Sequence, residues 1–192
     1  MDRDQALKIM HQYIKKESLR NHMLAVEAAM QSYARLFQED EKYWGICGIL
    51  HDFDYEIHPT LDQHPQTGGL ILRDLNVPED IILTILSHAD HTGVPRDNLL
   101  KKTLFACDEI TGLITACVLV RPSKSIYDLE VSSVKKKWKD KSFAAGANRE
   151  EIIIGAAELG IELWQHVANV IKAMREIAGE INLAGSLIQQ DI

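Results

Sequence analysis

Four histidines and two aspartates follow one another along the chain as His22, the adjacent pair His51-Asp52, His64, His88 and Asp108. Five of the six fall beside or on an apolar helical stripe or at a helix end. An imidazole or carboxylate that faces a core gives up water, and an unpaired buried carboxylate finds a cation or changes its protonation state. One such residue means little: His22 alone reads as a hydrogen-bonded core histidine, and Asp108 alone as the partner of a lysine or arginine. Several neutral imidazoles and carboxylates from separate segments have a common partner in a divalent ion, which satisfies a lone pair from each. Nitrogen and oxygen donors without thiolate suit iron, manganese, nickel, cobalt or zinc, and the donor types do not choose among these. The expectation is metal chemistry, provided that the chain folds these segments onto one another.

The elements that must do so are helical. Apolar periodicity of the α-helical kind runs nearly throughout, with little two-residue alternation, so the fold class is all-α. A short helix is expected over 4–15. A longer one follows, with Ser18 as its N-cap, on which Leu19, Met23, Val26, Met30, Tyr33 and Phe37 share a face and His22 borders it. A third runs from about Asp40 to His51, where Gly45 and Gly48 permit close helix approach. Pro65 and Pro78 suit first helical turns, which puts His64 at a helix entrance and His88 at the inner C-terminus of the next helix. Asp97 is expected to cap a long helix to about Val120 that carries Asp108. Helices near Val131–Trp138, Glu150–Leu159 and through Leu163–Ile177 complete the chain.

Composition narrows the function classes. With 192 residues, one all-α domain over 1–192 is expected, its metal-binding core at about 18–120 and its C-terminal helices at about 149–179 packing on that core. Apolar residues make up 46% of the chain, yet no run is long enough to span a bilayer, and the polar start reads as cytoplasmic. Cys47, Cys107 and Cys117 lie in apolar segments at unpaired spacing and read as core residues. A net charge of −7 disfavours nucleic acid as a partner. The lysine run at 135–141 reads as a solvated face. Apolar faces at Trp138 and Trp164 leave a homodimer open.

The ordered set of His22, the pair in ILHDFDYE, His64 in HPQTGGLIL, His88 in ILSHADHTG and Asp108 in LFACDEITG resembles the HD-domain superfamily of metal-dependent phosphohydrolases, over roughly residues 18–120. The resemblance implies a helical bundle of the HD type. It also implies a principal metal held by His22, His51, Asp52 and Asp108, and a second ion held by His64 and His88 with Asp52 bridging the two. The activity it implies is hydrolysis of a phosphate mono- or diester of a small metabolite or nucleotide by a metal-activated hydroxide. Two departures set this chain apart from specialised subfamilies. Some HD nucleotidases carry a glutamate where Tyr55 stands, and the cyclic-dinucleotide phosphodiesterases carry a lysine there and a Gly-Tyr-Pro signature where this chain reads Thr92-Gly93-Val94-Pro95. Neither specialised activity is carried over.

Around that set, Asp52, Asp54 and Glu56 are the candidates for acid or base, Tyr55 for a phosphate hydrogen bond, and Lys101, Lys102, Arg121 and Lys124 for phosphate contacts. His91 reads as a solvent-facing loop residue, and His11, His58 and His166 as surface or core histidines. Two other functions fit the same ligand set: a diiron oxygenase of the HD fold, and a non-catalytic metal-binding sensor or interaction module.

Overall fold

The helical periodicity condenses as the pattern requires. The computed structural model describes residues 1–187, and within them are nine α-helices and no strand. Helix α1 (Arg3–Tyr13) begins with a reciprocal cap: the Asp2 carboxylate accepts from the Gln5 amide, and the Gln5 side chain accepts from the Asp2 amide. Helix α2 (Glu17–Phe37) starts before the expected cap, so Ser18 lies inside it. The amides entering α2, those of Lys15 and Lys16, donate instead to Glu56 at 2.8 and 3.0 Å. A cap supplied from forty residues away leaves no local signal in the sequence. Helix α3 (Glu41–Leu50) is capped by Asp40, which accepts from the Lys42 and Tyr43 amides.

Helices α4 (Gln66–Asp74) and α5 (Glu79–Leu86) follow Pro65 and Pro78, and a one-turn 3₁₀ segment covers Asp90–Thr92. Helix α6 (Leu99–Leu119) is capped by Asn98 rather than Asp97, whose carboxylate takes the Lys101 ammonium at 2.9 Å. Helices α7 (Val131–Trp138), α8 (Arg149–Glu158) and α9 (Leu163–Glu176) follow, α8 capped by Asn148 and α9 by Glu162.

The buried side chains form two apolar clusters. One joins α2, α6, α7, α8 and α9 through residues such as Val26, Met30, Leu104, Ile114, Val134, Ile152 and Val170. The other joins α1, α3, α4 and α5 around Met10, Ile49, Leu50, Phe53, Leu72 and Ile81. Helix α2 serves both, since Met23 belongs to the second cluster. Each fully buried aliphatic side chain contributes about 1.5–3 kcal/mol, so both halves have reason to close. The closure of α3 on α2 depends on Gly48, where an added Cβ would stand 2.8 Å from the Glu27 backbone. All three cysteines are buried and free.

Trp138 and Trp164 meet edge to face at 5.5 Å and are half-buried, so the two rings cover one another. The 135–141 lysines are largely solvent-facing, with Lys135 over the Trp164 ring. His166 is fully buried: its Nε2–H donates to the Ala106 carbonyl at 2.8 Å and its Nδ1 accepts from the Tyr33 hydroxyl at 2.6 Å. No helix among the described residues is long and apolar enough to cross a membrane.

Candidate metal centre

Five different helices or helix ends converge where the two apolar clusters meet. His22 comes from α2 and Asp108 from the middle of α6. His51 is the residue that ends α3, with Asp52 next to it; His64 precedes α4, and His88 follows α5. The last carbonyls of a helix lack intrahelical partners. Two of the histidines exploit this in the same way: His51 Nδ1–H donates to the Gly48 carbonyl at 2.8 Å, and His88 Nδ1–H to the Ile85 carbonyl at 2.5 Å.

The other two imidazoles are held from the same side of the ring. Thr111 donates its hydroxyl hydrogen to the Asp108 carbonyl at 2.8 Å, which leaves the oxygen to accept from His22 Nδ1–H at 3.2 Å. Asp54, fully buried, accepts from His64 Nδ1–H at 2.9 Å and from the Gly68 amide at 3.1 Å. These partners assign the tautomers: every Nδ1 is a donor, so every Nε2 presents a lone pair inward.

Those lone pairs face one another. His22 Nε2 and His51 Nε2 are 3.2 Å apart, and so are His64 Nε2 and His88 Nε2. Two neutral acceptors at that distance have no bond to make between themselves; either a proton on one ring or a metal ion between them satisfies the pair. Asp52 stands between the pairs and divides its oxygens. Oδ2 lies 3.7 Å from His22 Nε2 and 3.5 Å from His51 Nε2, while Oδ1 lies 3.2 Å from His64 Nε2 and 3.8 Å from His88 Nε2. Asp108 Oδ1 completes the first group at 3.0 Å from His22 Nε2 and 3.4 Å from His51 Nε2. An ion with bonds near 2.1 Å has ligand-to-ligand edges of about 3.0 Å in an octahedron and 3.4 Å in a tetrahedron. The donors therefore fit two divalent ions sharing one carboxylate: His22, His51, Asp52 and Asp108 for one, Asp52, His64 and His88 for the other.

The electrostatics carry the same demand for positive charge. Burial pushes the His51 imidazole down, but Asp52 and Asp108 overcome it and hold the group at about 9. His64 is likewise opposed by burial and raised by Asp52 and Asp54 to about 10. Burial opposes ionisation of Asp52 and Asp108, yet the imidazoles, His51 first, hold both carboxyls below the usual range. Burial keeps His88 low. In the absence of a metal, protons on His51 and His64 supply the missing charge.

A cavity of about 730 Å³ opens over this centre and reaches His22, Asp52, His64, His88 and Asp108. Its wall also includes Tyr55, whose ring stands edge-on to His64 at 5.2 Å. His91 is solvent-exposed, yet it belongs to the wall too and donates to the His64 carbonyl at 3.0 Å. Glu109 and Glu151 line the cavity and went unnoticed in the sequence. Glu109 lies next to Asp108 and reads as helix surface until α8 packs over it; burial, then Asp108, pushes its carboxyl up to about 7. The only signal for it was adjacency to a ligand.

Several expected site residues stand elsewhere. Glu56, expected as an acid or base, instead caps the entry to α2 and is absent from the cavity wall. Asp54 is fully buried behind His64 and Gly68, with its two oxygens taken by the His64 ring and the Gly68 amide, and is absent from the cavity wall. No lysine or arginine lines the cavity among the described residues. Lys101 is buried and paired with Asp97, and Lys102, beside it in the first turn of α6, does not reach the wall. Arg121 is paired with Asp128 and, like Lys124, follows the end of α6, whose stretch from Asp108 to Leu119 rises roughly 16 Å at about 1.5 Å per residue; neither lines the cavity.

A family model described as HD domain matches residues 19–113. No curated protein and no solved structure matches the chain.

Proposed function

The chain belongs to the HD-domain superfamily through residues 19–113, and we propose that it is a metal-dependent phosphohydrolase that cleaves a phosphate mono- or diester of a small metabolite or nucleotide. One observation carries the reading: two pairs of inward Nε2 lone pairs, each 3.2 Å apart, joined through the two oxygens of Asp52. Divalent ions bound there would supply Lewis acidity to a phosphoryl oxygen and to water, which is what ester hydrolysis near neutral pH needs.

The chain's own residues do the positioning. The Gly48 and Ile85 carbonyls, Thr111 and Asp54 fix the four imidazole planes, so the ligands need little reorganisation when an ion binds. Tyr55, His91 and Glu109 present polar groups to whatever occupies the cavity. With no lysine or arginine among the described residues of the wall, the charge of a phosphate is left to the metal centre.

The test is a screen of phosphomonoesters and phosphodiesters with manganese, nickel, cobalt and ferrous ions added singly, on wild type and Asp52→Ala. Turnover that depends on metal and is lost in the variant is expected; the absence of any cleaved ester removes the hydrolase reading. The cation-free wall favours a second reading, a diiron oxygenase on the same ligands, because an uncharged substrate suits that cavity. Anaerobic loading with iron followed by measurement of oxygen consumption over candidate substrates separates the two.

A further inference from the structure

Glycine is the poorest helix former after proline, because it gives up the most backbone freedom on folding. Helix α6 nevertheless carries Gly112 in its interior. Three other helical glycines have a steric reason. A Cβ would stand 2.8 Å from the Glu27 backbone at Gly48, 2.6 Å from Ala106 Cα at Gly155 and 2.5 Å from Asp54 Cγ at Gly68. Gly112 has neither that reason nor a conformational one: its backbone is ordinary helix, and a Cβ there would meet no described atom within 4 Å. What distinguishes it is position. It lies one turn beyond Asp108 on the same face of α6, in the wall of the metal-centre cavity and also in the wall of a second cavity of about 280 Å³.

His22 is the other residue common to both walls, so the two cavities adjoin across His22 and Gly112. Beyond them the second cavity is lined by Ser18, Asn21 and Thr115 on one hand and Leu119, Ile181 and Leu183 on the other, and no Lys, Arg, Asp or Glu is among its described lining residues. We propose that Gly112 is a specificity-determining residue. It keeps open a passage through which a substrate anchored at the metal centre by an anionic group extends over α6, and the extending part is an apolar chain. A charged tail would find no partner there, whereas the methylenes of an alkyl chain would leave water against Leu119, Ile181 and Leu183. The inference rests on the hydrolase reading only in taking phosphate as the anchoring group.

The experiment measures binding by calorimetry to manganese-loaded wild type, Gly112→Ala and Gly112→Leu, using a series from ethyl to octyl phosphate and a parallel series of alkyl carboxylates. Wild-type affinity is expected to rise by about two- to fourfold per methylene. Gly112→Leu, whose side chain fills the passage, loses that dependence with its metal content unchanged. Gly112→Ala, with an unopposed methyl, melts at a higher temperature and weakens only the longer chains, which keeps the test decisive if the leucine variant folds poorly. Affinity that is flat with length in both series, no binding of either series, or a length dependence that survives both substitutions overturns the passage. Hydrolysis of the phosphates with flat length dependence overturns the passage and leaves the hydrolase reading standing; length dependence without hydrolysis does the reverse.

Discussion

Replacing Asp54 by asparagine should weaken one half of the metal centre and leave the other. The carboxylate is fully buried, and its two oxygens are committed: one accepts from His64 Nδ1–H at 2.9 Å, the other from the Gly68 amide at 3.1 Å. An asparagine of the same shape has one acceptor and one donor for these two donors. Either its amide hydrogens meet the Gly68 N–H, or they meet His64 Nδ1, which drives the ring to the tautomer with its hydrogen on Nε2. A hydrogen on Nε2 removes a ligand from the group Asp52, His64 and His88.

Loss of an outer hydrogen bond to a metal-ligating histidine costs about 10–100-fold in affinity, or about 1.4–2.8 kcal/mol. That agrees with the roughly 1.5–3 kcal/mol of a hydrogen bond to a charged group. Calorimetric titration of metal-free protein with manganese is the assay. Wild type takes up two ions per chain; Asp54→Asn retains the ion at His22, His51, Asp52 and Asp108 and weakens the other by that factor. Gly68→Ala should reproduce the defect from the opposite side, because its Cβ would fall 2.5 Å from Asp54 Cγ. Wild-type affinity for both ions in Asp54→Asn, or equal loss of both at an unchanged melting temperature, refutes the reasoning.

Four further outcomes are expected. Metal uptake at pH 7 should release protons, since His51 at about 9 and His64 at about 10 are protonated in the metal-free protein; calorimetry in buffers of different ionisation enthalpy reads the number, and a buffer-independent enthalpy contradicts it. Both groups are raised above the unfolded value near 6.5, so their contribution to the metal-free protein is fully present below about pH 6.5 and is lost progressively as pH climbs from there through about 9–10, visible as a falling Tm. Glu56→Gln should lower the Tm through the α2 entry while turnover and metal content stay as in wild type; a drop in turnover at unchanged Tm would restore Glu56 to the chemistry. Gly48→Ala should destabilise by roughly 1–3 kcal/mol, because its Cβ would meet the Glu27 backbone at 2.8 Å, and denaturant unfolding measures it.

The helices were readable from the chain because they rest on local regularities: the stripe through Leu19, Met23, Val26 and Met30, and the prolines that start α4 and α5; the grouping of the ligands came instead from the resemblance of the ordered histidines and aspartates to the HD domain. What escaped depends on direction or on distant contacts. Lys101 lies near Asp108 along α6, yet its side chain turns to Asp97. Glu56 sits four residues past Asp52, yet it is spent on two amides from a segment about forty residues earlier in the chain. Glu151 and Gly146 join the cavity wall only because the stretch before α8 folds over α6, and the sequence there carries no strong periodicity.

The meeting of two apolar clusters at the metal centre has a mechanical consequence. His22 and Asp108 are anchored in helices of one half, His51, His64 and His88 at helix ends of the other, and Asp52 touches both groups of donors. A bound pair of ions would act as a rivet between the halves. Sliding one against the other by even an ångström would stretch several coordination bonds together, so breathing motions that admit solvent to the seam would be suppressed by metal far more than fraying at the outer ends of α1 or α9.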